Sequence, residues 1–351
     1  NIGYGDNCTA TETFTNIGLL NTSKVTNMGS MFREAGHKSM TSLNLGDNFD
    51  TSNVTDMSHM FRGTGFYSMT SFSLGSKFNP SKAYELSWMF ASIGNDKLTS
   101  LNLGDNFYTT SATSMYAMFM NAGLKSMTSL NLGNHFDTST VTNMYYMFCH
   151  TGEMKLTSLN LGNKFNTSKV EYMDYMFEYA GANSMTTLDL GPLFTKIATS
   201  RTDIFTNTGK TGATIYVPEE IYKDKTHVKL NSTSSTTIAY TRGELIPKNT
   251  LKVTNTETKN TSGFLGNTSI QRQNIENITF VNSTSGANST KWDVSVTGDS
   301  SVLAWYTTAS SGALKVYIGT NKSAVYANPN SSSLFSYIGY ASKCKATEEI
   351  T

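Results

Sequence analysis

Charge is scarce in this chain. Only 15% of its 351 residues are Asp, Glu, Lys or Arg, against about 25% in a typical soluble domain. The formal net charge is +1, which gives no electrostatic footprint for nucleic acid or an anionic membrane. Cysteine is scarcer still. Cys8, Cys149 and Cys344 are too few for a disulfide-stapled scaffold, and their spacing fits no zinc motif. No apolar run approaches the length of a membrane span, and no signal-peptide pattern opens the chain, which begins at Asn1 rather than Met. These features read as an interior segment of something longer.

What replaces charge is Thr, Ser and Asn, arranged in a strict internal period. Met-Phe recurs at Met31-Phe32, Met60-Phe61, Met89-Phe90, Met118-Phe119, Met147-Phe148 and Met176-Phe177, each step being 29 residues. Ile204-Phe205 follows one residue early. Three further columns keep step: Gly36 to Gly181, the Leu-x-Leu-Gly pairs from Leu43/Leu45 to Leu188/Leu190, and Phe49 to Phe194. Four columns in register establish a repeat, and repeats of this length stack into solenoids.

Each copy divides in two. Met40, Leu43 and Leu45 lead into a short strand with one apolar face, ended by Gly46. Val54, Met57, Met60 and Phe61 recur at spacings that predict a short helix, with Thr51, Ser52 and Asn53 as capping side chains and Gly65 at its end. The expected fold is therefore an α/β solenoid of leucine-rich type, with a parallel sheet on one side and helices on the other. Residues 1–205 form seven repeats, 206–247 a cap and 248–336 a small β-rich module. Residues 337–351 begin the next solenoid, because Ile338-Gly-Tyr-Ala-Ser-Lys-Cys344-Lys-Ala-Thr-Glu348 repeats the pattern of Ile2 to Glu12.

The stretch Leu43 to Phe61, Leu-Asn-Leu-Gly-Asp-Asn-Phe-Asp-Thr-Ser-Asn-Val-Thr-Asp-Met-Ser-His-Met-Phe, resembles the BspA-type leucine-rich repeats of bacterial surface proteins, which also occur in mycoplasma lipoproteins. The likeness covers roughly residues 10 to 220. It implies an extracellular, cell-surface solenoid with adhesive or partner-binding roles. One departure stands out. Leucine-rich repeats bury an Asn after the strand, and here that column reads Asn48, Lys77, Asn106, His135, Lys164, Leu193. It cannot be a buried amide ladder, so the turn after the strand must differ.

Two surfaces are the candidate binding sites. The outward sheet face carries Ser42, Ser71, Ser100, Ser129 and Ser158 beside Asn44, Asn102, Asn131 and Asn160, ladders suited to a glycan or an extended peptide. On the expected helices, Tyr84, Trp88, Tyr116, Tyr145, Tyr146, Tyr172 and Tyr175 lie off the apolar stripe and form a patch of the kind that marks interfaces. Cys8 and Cys149 are candidates for an intermolecular disulfide, since almost five turns of about 4.8 Å separate them. The column of Cys149 also holds Arg33, Arg62 and Glu178, which places it near the surface. His150 beside Cys149 invites a catalytic reading, but neighbouring side chains on a turn are expected to diverge. The oxygen-rich Asp47-Asn48-Phe49-Asp50 and Asp105-Asn106 are ordinary turns rather than calcium loops, since the acidic column does not persist.

No catalytic constellation converges, and no metal or cofactor is called for. The sequence points to a binding protein rather than an enzyme. Its expected partner is a protein or glycan on another surface, as for an adhesin, or another copy of itself, as in a surface fibre. Nucleic acid and membrane insertion are not expected.

Overall fold

In a computed structural model of the chain, the described residues are 14–223, 228–230, 239–241, 244–248, 250–252, 263–321, 324–328, 331, 334, 335 and 338. They belong to two compact units, Asn1–Leu245 and Ile246–Thr351. Cys8, Cys344 and almost all of the matching end segments lie outside the described residues.

The first unit is a parallel β-solenoid. Each turn places one short strand beside its predecessor: β1 (Ser42–Asn44), β2 (Ser71–Ser73), β3 (Ser100–Asn102), β4 (Ser129–Asn131), β5 (Ser158–Asn160), β6 (Thr187–Asp189) and β7 (Thr214–Val217). Seven strands mark six turns. Registers are in phase with the repeat: Leu43 pairs with Phe72, Leu101 with Leu130, and Leu159 with Leu188. In β1, β3, β4 and β5 the middle residue points inward and its two neighbours face out.

The helical half of the expectation is wrong. Among the described residues the solenoid unit has one short α-helix, Glu219–Lys223, and one 3-10 turn, Ile17–Leu19. The segment expected to be helical is a run of overlapping turns. Met60 N donates to Met57 O, Arg62 N to His59 O and Thr64 N to Phe61 O, each three residues back. The alternate groups, on Met57, His59, Phe61 and Gly63, donate to Glu85, Ser87, Met89 and Ala91 of the next turn. Left-handed residues interrupt any helix, as at His59 (φ 57) and Gly63 (φ 67). The three-residue spacing of apolar side chains thus comes from successive turns, not from a 3.6-residue helix. The Thr, Ser, Asp and Asn that fill the gaps are weak helix formers, and linking the backbone to the next turn satisfies every second N–H without a helix.

The core is a set of like-on-like columns. Phe61, Phe90, Phe119, Phe148 and Phe177 are fully buried, and successive rings stack 5.3–5.6 Å apart within 3–9° of parallel. Phe78, Phe107, Phe136, Phe165 and Phe194 form a second stack at 6.0–6.3 Å. No turn could bury these rings alone; each supplies a lid for its neighbour.

In place of an amide ladder the solenoid buries threonine. The Thr138 hydroxyl donates to Asn166 O at 2.8 Å and accepts from Asn166 N at 2.7 Å. Thr109 makes the same pair with Asp137, and Thr167 with Lys196. One hydroxyl, being donor and acceptor at once, closes both backbone groups of the next turn. The Asn48 column stays largely exposed.

The second unit is β-rich. Its four-stranded sheet runs Ile275–Val281, Leu314–Gly319, Leu303–Thr308, Trp292–Asp293 in spatial order. The first pair is parallel and the others are antiparallel. Phe264, Leu265, Ile275, Val294, Val302, Val316 and Ile318 form its core.

Candidate functional site

The sheet face is built as the alternation of the strands dictates. Ser42, Ser71, Ser100, Ser129 and Ser158 are exposed, and paired strands set Ser42 beside Ser71, Ser100 beside Ser129 and Ser158 beside Thr187. The amide row is less available than the sequence suggests. Asn44, Asn102, Asn131 and Asn160 each accept a hydrogen bond from the N–H two residues on, at Gly46, Gly104, Gly133 and Gly162, 2.8–3.0 Å away. These side chains fix the turn that ends each strand, so their carbonyl oxygens are spent inside the fold.

The aromatic residues fall on turns rather than helices, and five of the seven come together. Trp88, Tyr146 and Tyr175 occupy one column, all in the left-handed region at φ 62, 57 and 56. Tyr116 and Tyr145 occupy the adjacent column. Ring centroids run in a continuous chain: Trp88 to Tyr116 5.4 Å, Tyr116 to Tyr145 5.5 Å, Tyr145 to Tyr146 4.5 Å and Tyr146 to Tyr175 4.9 Å. All five rings are half-buried. Tyr84 and Tyr172 are more exposed and sit on other columns, outside the strip.

Two members were missed from sequence. His59 stacks on Trp88 at 5.9 Å, and the Arg62 guanidinium lies 4.5 Å above the Trp88 ring. Burial, then the charges of Arg62 and Arg33, hold the His59 imidazole below its ordinary pKa, so it is neutral at pH 7. It can then accept from Arg62 Nη1, 3.4 Å from its Nδ1. The signal was present: His59 precedes Trp88 by one 29-residue step. Burial first, and then a hydrogen bond with Tyr145, push the Tyr146 phenol well up, so its hydroxyl keeps its proton.

The family model described as Mycoplasma protein of unknown function, DUF285, matches residues 6–127 and again 84–215. Together the two matches cover more than half of the chain. The chain belongs to this family. No curated protein and no solved structure matches it. The family's two overlapping matches restate the repeat, and both the aromatic strip and the Ser row lie within them.

The second match also contains Cys149, where the structure corrects two expectations. Cys149 is 1% exposed, not near the surface, so it does not offer a thiol to another chain from this fold. Nor do Cys149 and His150 diverge. His150 is left-handed (φ 55), which breaks the alternation of neighbouring side chains. The ligating atoms of Cys149, His150 and Glu178 lie within 4.8 Å of one another. Glu178 holds the position of Cys149 one turn later, and the thiol faces Glu178 Oε2 at 3.7 Å. Burial, then the charge of Glu178, pushes the Cys149 thiol far up.

Proposed function

We propose that this chain is a segment of an extracellular surface repeat protein that acts as an adhesin or scaffold, engaging a protein or glycan along the aromatic strip. The observation that carries the reading is the unbroken run of rings from His59 through Trp88, Tyr116, Tyr145 and Tyr146 to Tyr175, with Arg62 over one end. Tyr, Trp and Arg are the residues that dominate binding energy at interfaces. Their flat faces also suit sugar rings. The strip crosses five turns, so one partner meets a repeated, pre-organised surface whose side chains are already held by their neighbours. The near-neutral charge balance leaves stacking and hydrogen bonding as the means of recognition. The likeness of the repeats to BspA-type surface repeats favours a surface role, while the DUF285 family itself is described only as of unknown function.

The test is binding of the whole chain to glycan arrays and immobilised matrix proteins, with Tyr116→Ala and Tyr145→Ala as variants. The reading expects a ligand whose affinity falls tenfold or more in both. Concentration-dependent self-association that disappears in the same variants would instead make the partner a second copy, as in a surface fibre. Binding unchanged in both variants would remove the strip from the site.

A further inference from the structure

We propose that Cys149 Sγ, a ring nitrogen of His150 and a carboxylate oxygen of Glu178 form a three-ligand site for a zinc-type divalent cation, with its remaining position open to water. The geometry points there first. All three ligating atoms lie within 4.8 Å of one another. A tetrahedral ion with Zn–S of about 2.3 Å and Zn–O of about 2.0 Å separates those two ligands by roughly 3.5 Å. Cys149 Sγ and Glu178 Oε2 are 3.7 Å apart, so that edge needs almost no movement.

The surroundings have the second layer that metal-bound histidines require. His150 Nδ1 lies 2.6 Å from Glu153 Oε2, a carboxylate–imidazole pairing of the kind that fixes the ring of a metal-bound histidine. The ring also stacks face to face on Tyr179, 4.7 Å away and 3° from parallel. Thiol, imidazole and carboxylate together select a borderline ion such as zinc over calcium or magnesium, which prefer all-oxygen shells.

The arrangement is particular to one place in the repeat. The two columns hold Arg33 and Glu34, Arg62 and Gly63, Ala91 and Ser92, then Met120 and Asn121 in the preceding turns. No other described residues gather three such ligands.

Cobalt(II) is the probe, added to the reduced, chelator-treated 351-residue chain. One equivalent should develop a thiolate-to-cobalt charge-transfer band with the visible bands of a four-coordinate ion, and zinc should bleach both. Cys149→Ser should abolish the charge-transfer band, and a Cys8→Ser/Cys344→Ser double variant should keep it. Glu178→Gln and His150→Gln should weaken cobalt binding at least tenfold with unchanged circular dichroism; they carry the test if Cys149→Ser misfolds. No charge-transfer band in the parent chain, a band that survives Cys149→Ser in a folded protein, or full affinity in both other variants would overturn the site.

Discussion

Thr138→Val replaces a buried hydroxyl by a methyl of nearly the same shape. Thr138 is fully buried, and its hydroxyl both donates to Asn166 O and accepts from Asn166 N at 2.7–2.8 Å. The valine leaves that N–H and C=O without their partner. An unsatisfied buried group costs about 1–3 kcal/mol. Asn166 is only half-buried, which lowers the figure, and the extra methyl returns a little by burial. The net expectation is a loss of about 2–3 kcal/mol. A solenoid need not unfold in one step, so the local measurement is amide hydrogen exchange at Asn166. Its protection should fall roughly 30- to 140-fold, at 1.4 kcal/mol per factor of ten. Thr142→Val is the control. The exposed Thr142 hydroxyl donates to Thr113 O at 3.3 Å, and that carbonyl also accepts from Thr142 N at 2.9 Å, so the cost should be under about 0.5 kcal/mol. Equal effects of the two variants, or an unchanged Asn166 amide, would refute the hydroxyl ladder as a source of stability.

Gly133→Ala and Gly104→Ala separate backbone strain from contact. Both glycines are left-handed (φ 76 and 74), but a Cβ on Gly133 would meet Gly104 O at 2.2 Å while one on Gly104 meets nothing within 4 Å. Gly104→Ala should cost about 1 kcal/mol and Gly133→Ala clearly more, read as urea midpoints; the reverse order would refute the close approach of the two turns. Partial burial pushes the Asp174 carboxyl up, but hydrogen bonds from the Ser200 hydroxyl and Thr202 N–H outweigh it and hold the group below its ordinary pKa. Its stabilisation is therefore present above the unfolded pKa of about 3.9 and is lost as pH falls through the lower folded value. Asp174→Asn should destabilise at pH 7 and converge with the parent chain as pH falls below the lowered folded value, and a gap that stays constant with pH would contradict the ionised carboxylate. In a Cys8→Ser/Cys344→Ser background, metal-free Cys149 should react with iodoacetamide only in denaturant, since it is buried and its thiol is held protonated; rapid native labelling would place it at the surface after all.

The aromatic strip shows how far the repeat could be read and where it stopped. Trp88, Tyr146 and Tyr175 sit 29 residues apart or at multiples of that spacing, so their alignment was legible. His59 belongs to the same series, one 29-residue step before Trp88, so its place at the end of the strip is legible in the same way. Arg62 could not be placed, because only its side-chain path brings it over Trp88. The Asn column on the sheet face was legible as a row but not as a set of turn-fixing acceptors.

By itself the sequence determined the period, the parallel in-phase pairing of strands and the identity of the buried columns. Identical residues at identical spacing can bury their apolar faces only by stacking on their own copies. It did not determine the path between strands. Apolar residues three apart fit a helix and a chain of overlapping turns equally well, and the choice depends on where backbone N–H groups find acceptors. Those acceptors lie one turn away, 28 residues on, as for Met57 and Glu85. The same holds for Cys149, His150 and Glu178. Two are adjacent in sequence and the third is a full turn distant, so only the stacking of turns and the left-handed backbone at His150 bring their ligating atoms together.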